Sequence, residues 1–291
     1  MLNLIFFESE IEIKENQFWK KEFQDQEKIF LLGSSHIGQL NATYIQEDVN
    51  QISDIHIFNL AYASDNPSKR IEVLEKIISL KPKMIIYGIT FLELNSEEKT
   101  KFPTLETIYK NNVVTNIPEL EIKNPKWTTL KIFRVLLDYI GIDVQTREIL
   151  KMENTPFYNF QKQQTVIIKN SELLESKKFP KTELNIPNEG ETQKIKDLKT
   201  IIKKFNENEI EIVIVITPIF KTFLDSLDEG SRKQFHEKLE DISNEYNVEV
   251  IDFSKRYNNY EIWMDASHIA LNEKSLVYSK DIAEIIKMRL K

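Results

Sequence analysis

Two short segments of this chain hold the residue types that acyl-transfer chemistry requires. The first is Ile29 to Leu40, IFLLGSSHIGQL, where an apolar run enters Gly33, Ser34, Ser35 and His36. A serine at a sharp strand-to-helix turn has its hydroxyl held clear of the backbone, and its own amide sits where a helix N-terminus favours negative charge. Nucleophile and oxyanion donor can then be one residue, Ser35. Gly-Ser-Ser is also ordinary turn and cap chemistry, so this segment alone assigns nothing. The second segment is Trp263 to Leu271, WMDASHIAL. Its Asp265 and His268 are spaced so that the carboxylate can meet imidazole Nδ1 across one turn, leaving Nε2 to face a serine hydroxyl. A surface loop can show the same spacing. This pair gains weight because the chain has only four histidines and His268 falls at the expected carboxyl edge of the sheet, where Ser35 also belongs.

The neighbouring polar residues have structural and functional readings side by side. His36, directly after the serine, either lines a substrate pocket or packs locally. Asn66 lies near the expected site and is carried with His36 as a substrate-side candidate, although a turn and helix cap would explain both Asp65 and Asn66. His56, in an apolar strand, and His236, in a charged helix, read as structural.

The elements that must position these residues alternate in type. Short β-branched runs at Ile29 to Gly33, Ile55 to Leu60, Met84 to Gly88, Glu211 to Ile216 and Val248 to Phe253 read as five strands. Between them lie amphipathic stretches: Pro67 to Leu80, capped by Asn66 with proline at the first helical position, then Lys194 to Phe205, Arg232 to Glu245 and Glu273 to Leu290. This order predicts an α/β fold with a doubly wound, mostly parallel sheet, whose ligand site lies beyond the carboxyl ends of the strands. The expected organisation is one domain over residues 1–291, interrupted at about 92–191 by an insertion too long for a simple connection. Thr128 to Ile140, apolar around most of its circumference, is the strongest helix in it. It reads as an extra packing layer, or as a lid or docking surface that sets substrate choice.

Composition removes several classes of function. A net charge of −7 argues against a nucleic-acid partner, which needs a basic surface to displace counterions from phosphates. The chain has no cysteine, so disulfides, thiolate metal sites and a cysteine nucleophile are excluded. The chemistry falls to oxygen and imidazole, and neither a metal nor an organic cofactor is expected. No apolar run is long enough to cross a bilayer, and Met1 to Phe7 lacks the basic flank of a signal peptide. The sequence as written reads as cytoplasmic. The alternative is an extracytoplasmic protein held by an N-terminal anchor of which Leu2 to Phe7 is the stump.

These segments together resemble the SGNH, or GDSL-like, hydrolases, which bring four short blocks together on a flavodoxin-like three-layer α/β/α fold. The resemblance covers most of the chain outside the insertion. The first block, G-x-S, is matched by Gly33, Ser34 and Ser35, which gives Ser35 the nucleophile role and places Ser34 where the family has aspartate. The last block, D-x-x-H, is matched by Asp265 and His268. The second block, N-x-G-x-x-G, is met by Asn59 to Ser64, with Ser64 in place of the glycine that donates an oxyanion amide. The third, G-x-N-D, is met by Gly88 to Phe91, with Thr90 in place of the asparagine. The resemblance implies a serine esterase or O-acyltransferase acting on a small-molecule, carbohydrate or lipid acyl ester. Its oxyanion hole would be formed by Ser35, Ser64 and Thr90. The substituted blocks also fit a protein that keeps the fold as a binding scaffold. A third reading, a flavodoxin-like phosphate-binding module, leaves the spacing of Asp265 and His268 unexplained.

Overall fold

A computed structural model describes residues 26–95, 154–157, 162–175, 181–187 and 190–291. Five strands, β1 (Lys28–Leu32), β2 (His56–Asn59), β3 (Met84–Ile89), β4 (Glu211–Ile216) and β5 (Glu249–Asp252), form one sheet in the order β2-β1-β3-β4-β5. Every pairing is parallel. β1 and β3 are buried along their whole length, as strands covered on both faces must be. The expected α/β class and doubly wound sheet are what the chain adopts.

Nine helices connect and cover the sheet among the described residues: α1 (Ser35–Gly38), α2 (Ala42–Val49), α3 (Pro67–Ile71), α4 (Leu74–Ser79), α5 (Asn170–Glu175), α6 (Gln193–Glu207), α7 (Lys221–Leu224), α8 (Glu229–Tyr246) and α9 (Leu276–Leu290). α2 packs against α9 in one layer, whereas α6 packs against α3 and α8 in the other. Right-handed crossovers from a sheet of this order produce that division. Side-chain caps set the starts of α2, α3, α6 and α8, where Asn41, Asn66, Thr192 and Asp228 each accept a backbone N–H from the first turn.

The stretch Pro67 to Leu80, expected as one helix, is two. At Glu72 and Val73 the backbone tightens to bonds with Lys69 and Arg70, three residues back. The break accompanies the turning in of Arg70, which is 1% exposed and paired with Asp65. Leu74 and Ile77 beyond it still reach the core.

The chain divides into two compact units, residues 1–96 with 149–291 and residues 97–148. The sheet and its helices belong to the first. The second unit, the expected helix Thr128 to Ile140 and the opening Met1 to Phe7 lie outside the described residues. Among the described residues no helix is long and apolar enough to cross a membrane.

The strand order places the topological switch between β1 and β3, whose outgoing connections leave toward opposite sides. In such sheets the crevice at the carboxyl ends is where ligands bind. The connections that follow β1, β2, β3 and β5 carry Ser35, Ser64, Thr90 and the Asp265–His268 pair.

Candidate active site

Ser35 is presented by a turn that only glycine permits. Gly33 has φ 144°, a conformation L side chains rarely adopt, and a Cβ there would lie 2.7 Å from the Gly88 carbonyl oxygen. At Gly88 a Cβ would come within 2.1 Å of Ile37 Cγ1. The two glycines therefore make room for Ile37 to sink between β1 and β3, forcing the chain to turn sharply after Leu32. The resulting helix is a single turn, with Ile37 and Gly38 amides donating to the Ser34 carbonyl at 3.0 and 3.1 Å. Ser35 is left half-buried at its start.

A second polar tie fixes this turn. Asn59 at the end of β2 is fully buried; its Nδ2 donates to the carbonyls of Ile37 at 2.7 Å and Leu40 at 3.0 Å, and its Oδ1 accepts the Ala61 amide. Gln39 reaches the other way, its Oε1 accepting the Ile269 amide at 2.9 Å. The first and last blocks are thus joined by a side chain as well as by packing.

The Asp265–His268 loop is anchored beneath by Trp263. This buried indole donates to the Tyr257 carbonyl at 3.1 Å and meets Phe220 edge-on at 5.5 Å. Above it the Met264 amide donates to the His268 carbonyl at 2.9 Å, closing a tight loop. Within the loop Asp265 Oδ1 accepts the amides of Ser267 at 2.7 Å and His268 at 2.8 Å.

Ser35 and the Asp265–His268 pair, distant in sequence, converge here. Ser35 Oγ lies 2.9 Å from His268 Nε2, and His268 Nδ1 lies 3.1 Å from both carboxylate oxygens of Asp265. Ser267 Oγ bridges behind them, donating to Asp265 Oδ1 at 2.9 Å and lying 2.8 Å from His268 Nδ1. Burial alone would raise the Asp265 carboxyl, but His268 and the Ser267 hydrogen bonds hold it at about 2. Burial alone would lower His268, and the Asp265 charge and hydrogen bond reverse this, leaving it above its ordinary value. The arrangement fixes the tautomer with Nδ1 as donor and leaves Nε2 as an acceptor for the serine proton.

His36 lies flat on His268, with centroids 4.6 Å apart and planes inclined by 19°. Its Nδ1 lies 3.1 Å from Ser34 Oγ. Burial, then the neighbouring His268, pushes its pKa down to about 3, so this ring is neutral at ordinary pH.

The positions expected to serve an oxyanion differ in their surroundings. Ser64 is exposed and adopts φ 59°, the left-handed conformation that glycine takes without cost and that serine holds at roughly 1–2 kcal/mol. Neither the Ser35 nor the Ser64 amide donates to another described residue. Thr90 is buried and its amide is committed elsewhere, donating to Glu93 Oε2 at 3.0 Å. Asn66 caps α3 by accepting the Lys69 amide at 3.2 Å.

Sequence reasoning had passed over Glu93, Ser267, Gln39 and Arg70. Glu93 is 8% exposed, and its signal was positional, since it stands two residues after the third block. Ser267 stood inside the D-x-x-H motif at one of the positions the motif leaves open. No group of acidic or imidazole side chains capable of holding a metal ion occurs among the described residues.

Residues 1–272 match a family model described as a protein of unknown function (DUF1574). No curated protein matches the chain. Among solved structures the chain is similar in fold to a lipase/acylhydrolase from Enterococcus faecalis, with 11% identity over 90% of this chain and 96% of that one and a TM-score of 0.47. A psychrotrophic esterase from Pseudoalteromonas sp. gives 10% identity, 90% and 98% coverage and a TM-score of 0.46. A GDSL-like lipase from Bacteroides thetaiotaomicron gives 8%, 96% of each chain and 0.45.

Proposed function

The chain belongs to the DUF1574 family, and from its site we propose that it is a serine-dependent ester hydrolase or O-acyltransferase that works through an acyl-Ser35 intermediate. The observation on which this rests is the 2.9 Å approach of Ser35 Oγ to His268 Nε2 with Asp265 bonded behind the ring. Hydrogen-bond reach between nucleophile and base, and between base and its orienting acid, is the geometry that nucleophilic acyl transfer needs.

In the proposed reaction His268 Nε2 takes the Ser35 proton as Oγ attacks the ester carbonyl. The Ser35 and Ser64 amides, which donate to no other described residue, receive the developing oxyanion. Collapse breaks the bond to the leaving alkoxide, which takes the proton from His268. Water or an acceptor alcohol, deprotonated by the same nitrogen, then attacks the acyl group and releases Ser35 with its proton restored. Asp265, held as the anion by Ser267 and His268, stabilises the imidazolium in both halves. The single reaction site serves hydrolysis and transfer alike, and the acceptor decides between them.

A scaffold without turnover has one observation in its favour: Thr90, in the asparagine position, is buried and spends its amide on Glu93. Hydrolysis of p-nitrophenyl acetate separates the two readings. The hydrolase reading expects turnover that Ser35→Ala abolishes without changing the circular dichroism spectrum. Equal release by wild type and Ser35→Ala would favour the scaffold.

A further inference from the structure

The connection after β2 holds a turn that its own sequence disfavours. The Asp65 amide donates to the Tyr62 carbonyl at 3.3 Å, so Tyr62 to Asp65 close a four-residue turn with Ser64 in third place. Ser64 has φ 59°, and Ala63 before it has a negative φ. A positive φ at the third place alone marks the type II turn, which favours glycine there, whereas serine is at ease in type I. The two types differ chiefly by a flip of the peptide between the second and third residues. Here that peptide carries the Ser64 N–H, so the turn type decides which way the amide points.

Two side chains from α3 hold this turn. Lys69 Nζ donates to the Ser64 carbonyl at 2.8 Å. Arg70, which is 1% exposed, donates from Nη2 to the carbonyl of Leu60, the first residue after β2, at 3.2 Å. Its Nε donates to Asp65 Oδ2 at 3.0 Å, and Nη2 bonds the same carboxylate oxygen. The guanidinium also lies over the Tyr62 ring, 5.4 Å from its centroid. Asp65 gives its other oxygen to the Asn66 amide at 2.9 Å. One planar fork thus joins the entry of the loop to its exit, which the single ammonium of a lysine does not reproduce. The start of α3 does not require the pair, because Asn66 already caps that helix.

We propose that Arg70 is a positioning residue: through Asp65 and the Leu60 carbonyl, with Lys69 beside it, it keeps the Tyr62–Asp65 turn in the type II form and so aims the Ser64 amide at the oxyanion. Glycine in third place would hold that form unaided. With serine there, release of the turn lets the Ala63–Ser64 peptide flip, and the donor swings away from the reacting carbonyl. The proposal explains why a left-handed serine stands directly before the carboxylate of a buried ion pair.

The catalytic part of this inference rests on the proposed acyl-transfer function, so the test reads the turn and the reaction separately. Nuclear Overhauser contacts of the Ala63–Ser64 peptide are compared in wild type, Arg70→Lys, Lys69→Met and the double variant Arg70→Lys with Ser64→Gly, alongside kcat and KM for p-nitrophenyl acetate. In the type II form the Ala63 Hα lies against the next amide hydrogen; in type I the two amide hydrogens approach each other instead. Wild type should show the first contact strongly, and Arg70→Lys should show the second growing at its expense. In Arg70→Lys kcat should fall about 10–100-fold with little change in KM, less than the loss of a whole oxyanion donor; Lys69→Met should show a smaller fall. Adding Ser64→Gly to Arg70→Lys should restore the first contact and raise kcat again, a recovery that a general loss of folding would not show. An Arg70→Lys protein with wild-type contacts and kcat overturns the proposal, as does a double variant no better than Arg70→Lys. If Arg70→Lys does not fold, Lys69→Met with and without Ser64→Gly makes the same comparison and is judged in the same way. A wild type without turnover, but with a peptide orientation that depends on Arg70 and is rescued by glycine, overturns the hydrolase reading and leaves the clamp standing.

Discussion

His268 is pulled in opposite directions by burial and by Asp265, and the carboxylate wins. A base whose conjugate acid is stabilised in this way loses its proton later as pH rises. We therefore expect the acid limb of kcat/KM to lie above pH 6.5, the ordinary histidine value, and to move down in Asp265→Asn. That variant should also lose about two to four orders of magnitude in kcat, because an amide no longer selects the productive tautomer. An acid limb unmoved by Asp265→Asn, read from pH profiles of ester turnover, would mean that Asp265 does not govern the imidazole. At this scale the sequence disclosed the chemistry-bearing types through spacing, as with Ser35, Asp265 and His268. It did not disclose Glu93, because an isolated acid in a turn looks like surface until the fold buries it.

Among the elements, the strands were legible because five runs of β-branched residues bounded by polar turns have few alternatives once a parallel sheet is assumed. The break between α3 and α4 was not. Its apolar spacing is continuous from Ile71 to Ile78, and the interruption accompanies a long-range pair, Arg70 with Asp65, that no local pattern encodes. The packing of β1 against β3 around Ile37 makes a sharper statement. Gly88→Ala places a methyl within 2.1 Å of Ile37 Cγ1 and should cost about 1–3 kcal/mol by overpacking. The double variant Gly88→Ala with Ile37→Ala should recover part of that loss, visible in urea denaturation as non-additive free energies. Strict additivity would show that the two side chains do not compete for one space.

Over the whole molecule, stability should be limited from both sides of the pH scale by groups in the same site. Asp265, held at about 2 rather than 3.8, contributes roughly 2 kcal/mol that is present above its ordinary pKa and fades as pH falls from 3.8 toward 2. Glu93, raised from 4.5 to about 8, acts with the opposite sign. Its contribution is complete below pH 4.5 and lost as pH rises through 8. Thermal unfolding should therefore show Glu93→Gln gaining on wild type between pH 6 and pH 9, while Asp265→Asn narrows its deficit below pH 4. Parallel curves for Glu93→Gln and wild type would place a charged carboxylate at that position.

The central claim is that Ser35 is the nucleophile. Incubation with a fluorophosphonate at neutral pH followed by peptide mass mapping tests it most directly, because phosphonylation traps the serine that a neighbouring base has activated. The account predicts one adduct, on the peptide containing Ser35, absent from Ser35→Ala and sharply slowed in His268→Ala. Undiminished labelling of Ser35→Ala, or an adduct mapped to another residue, would contradict it.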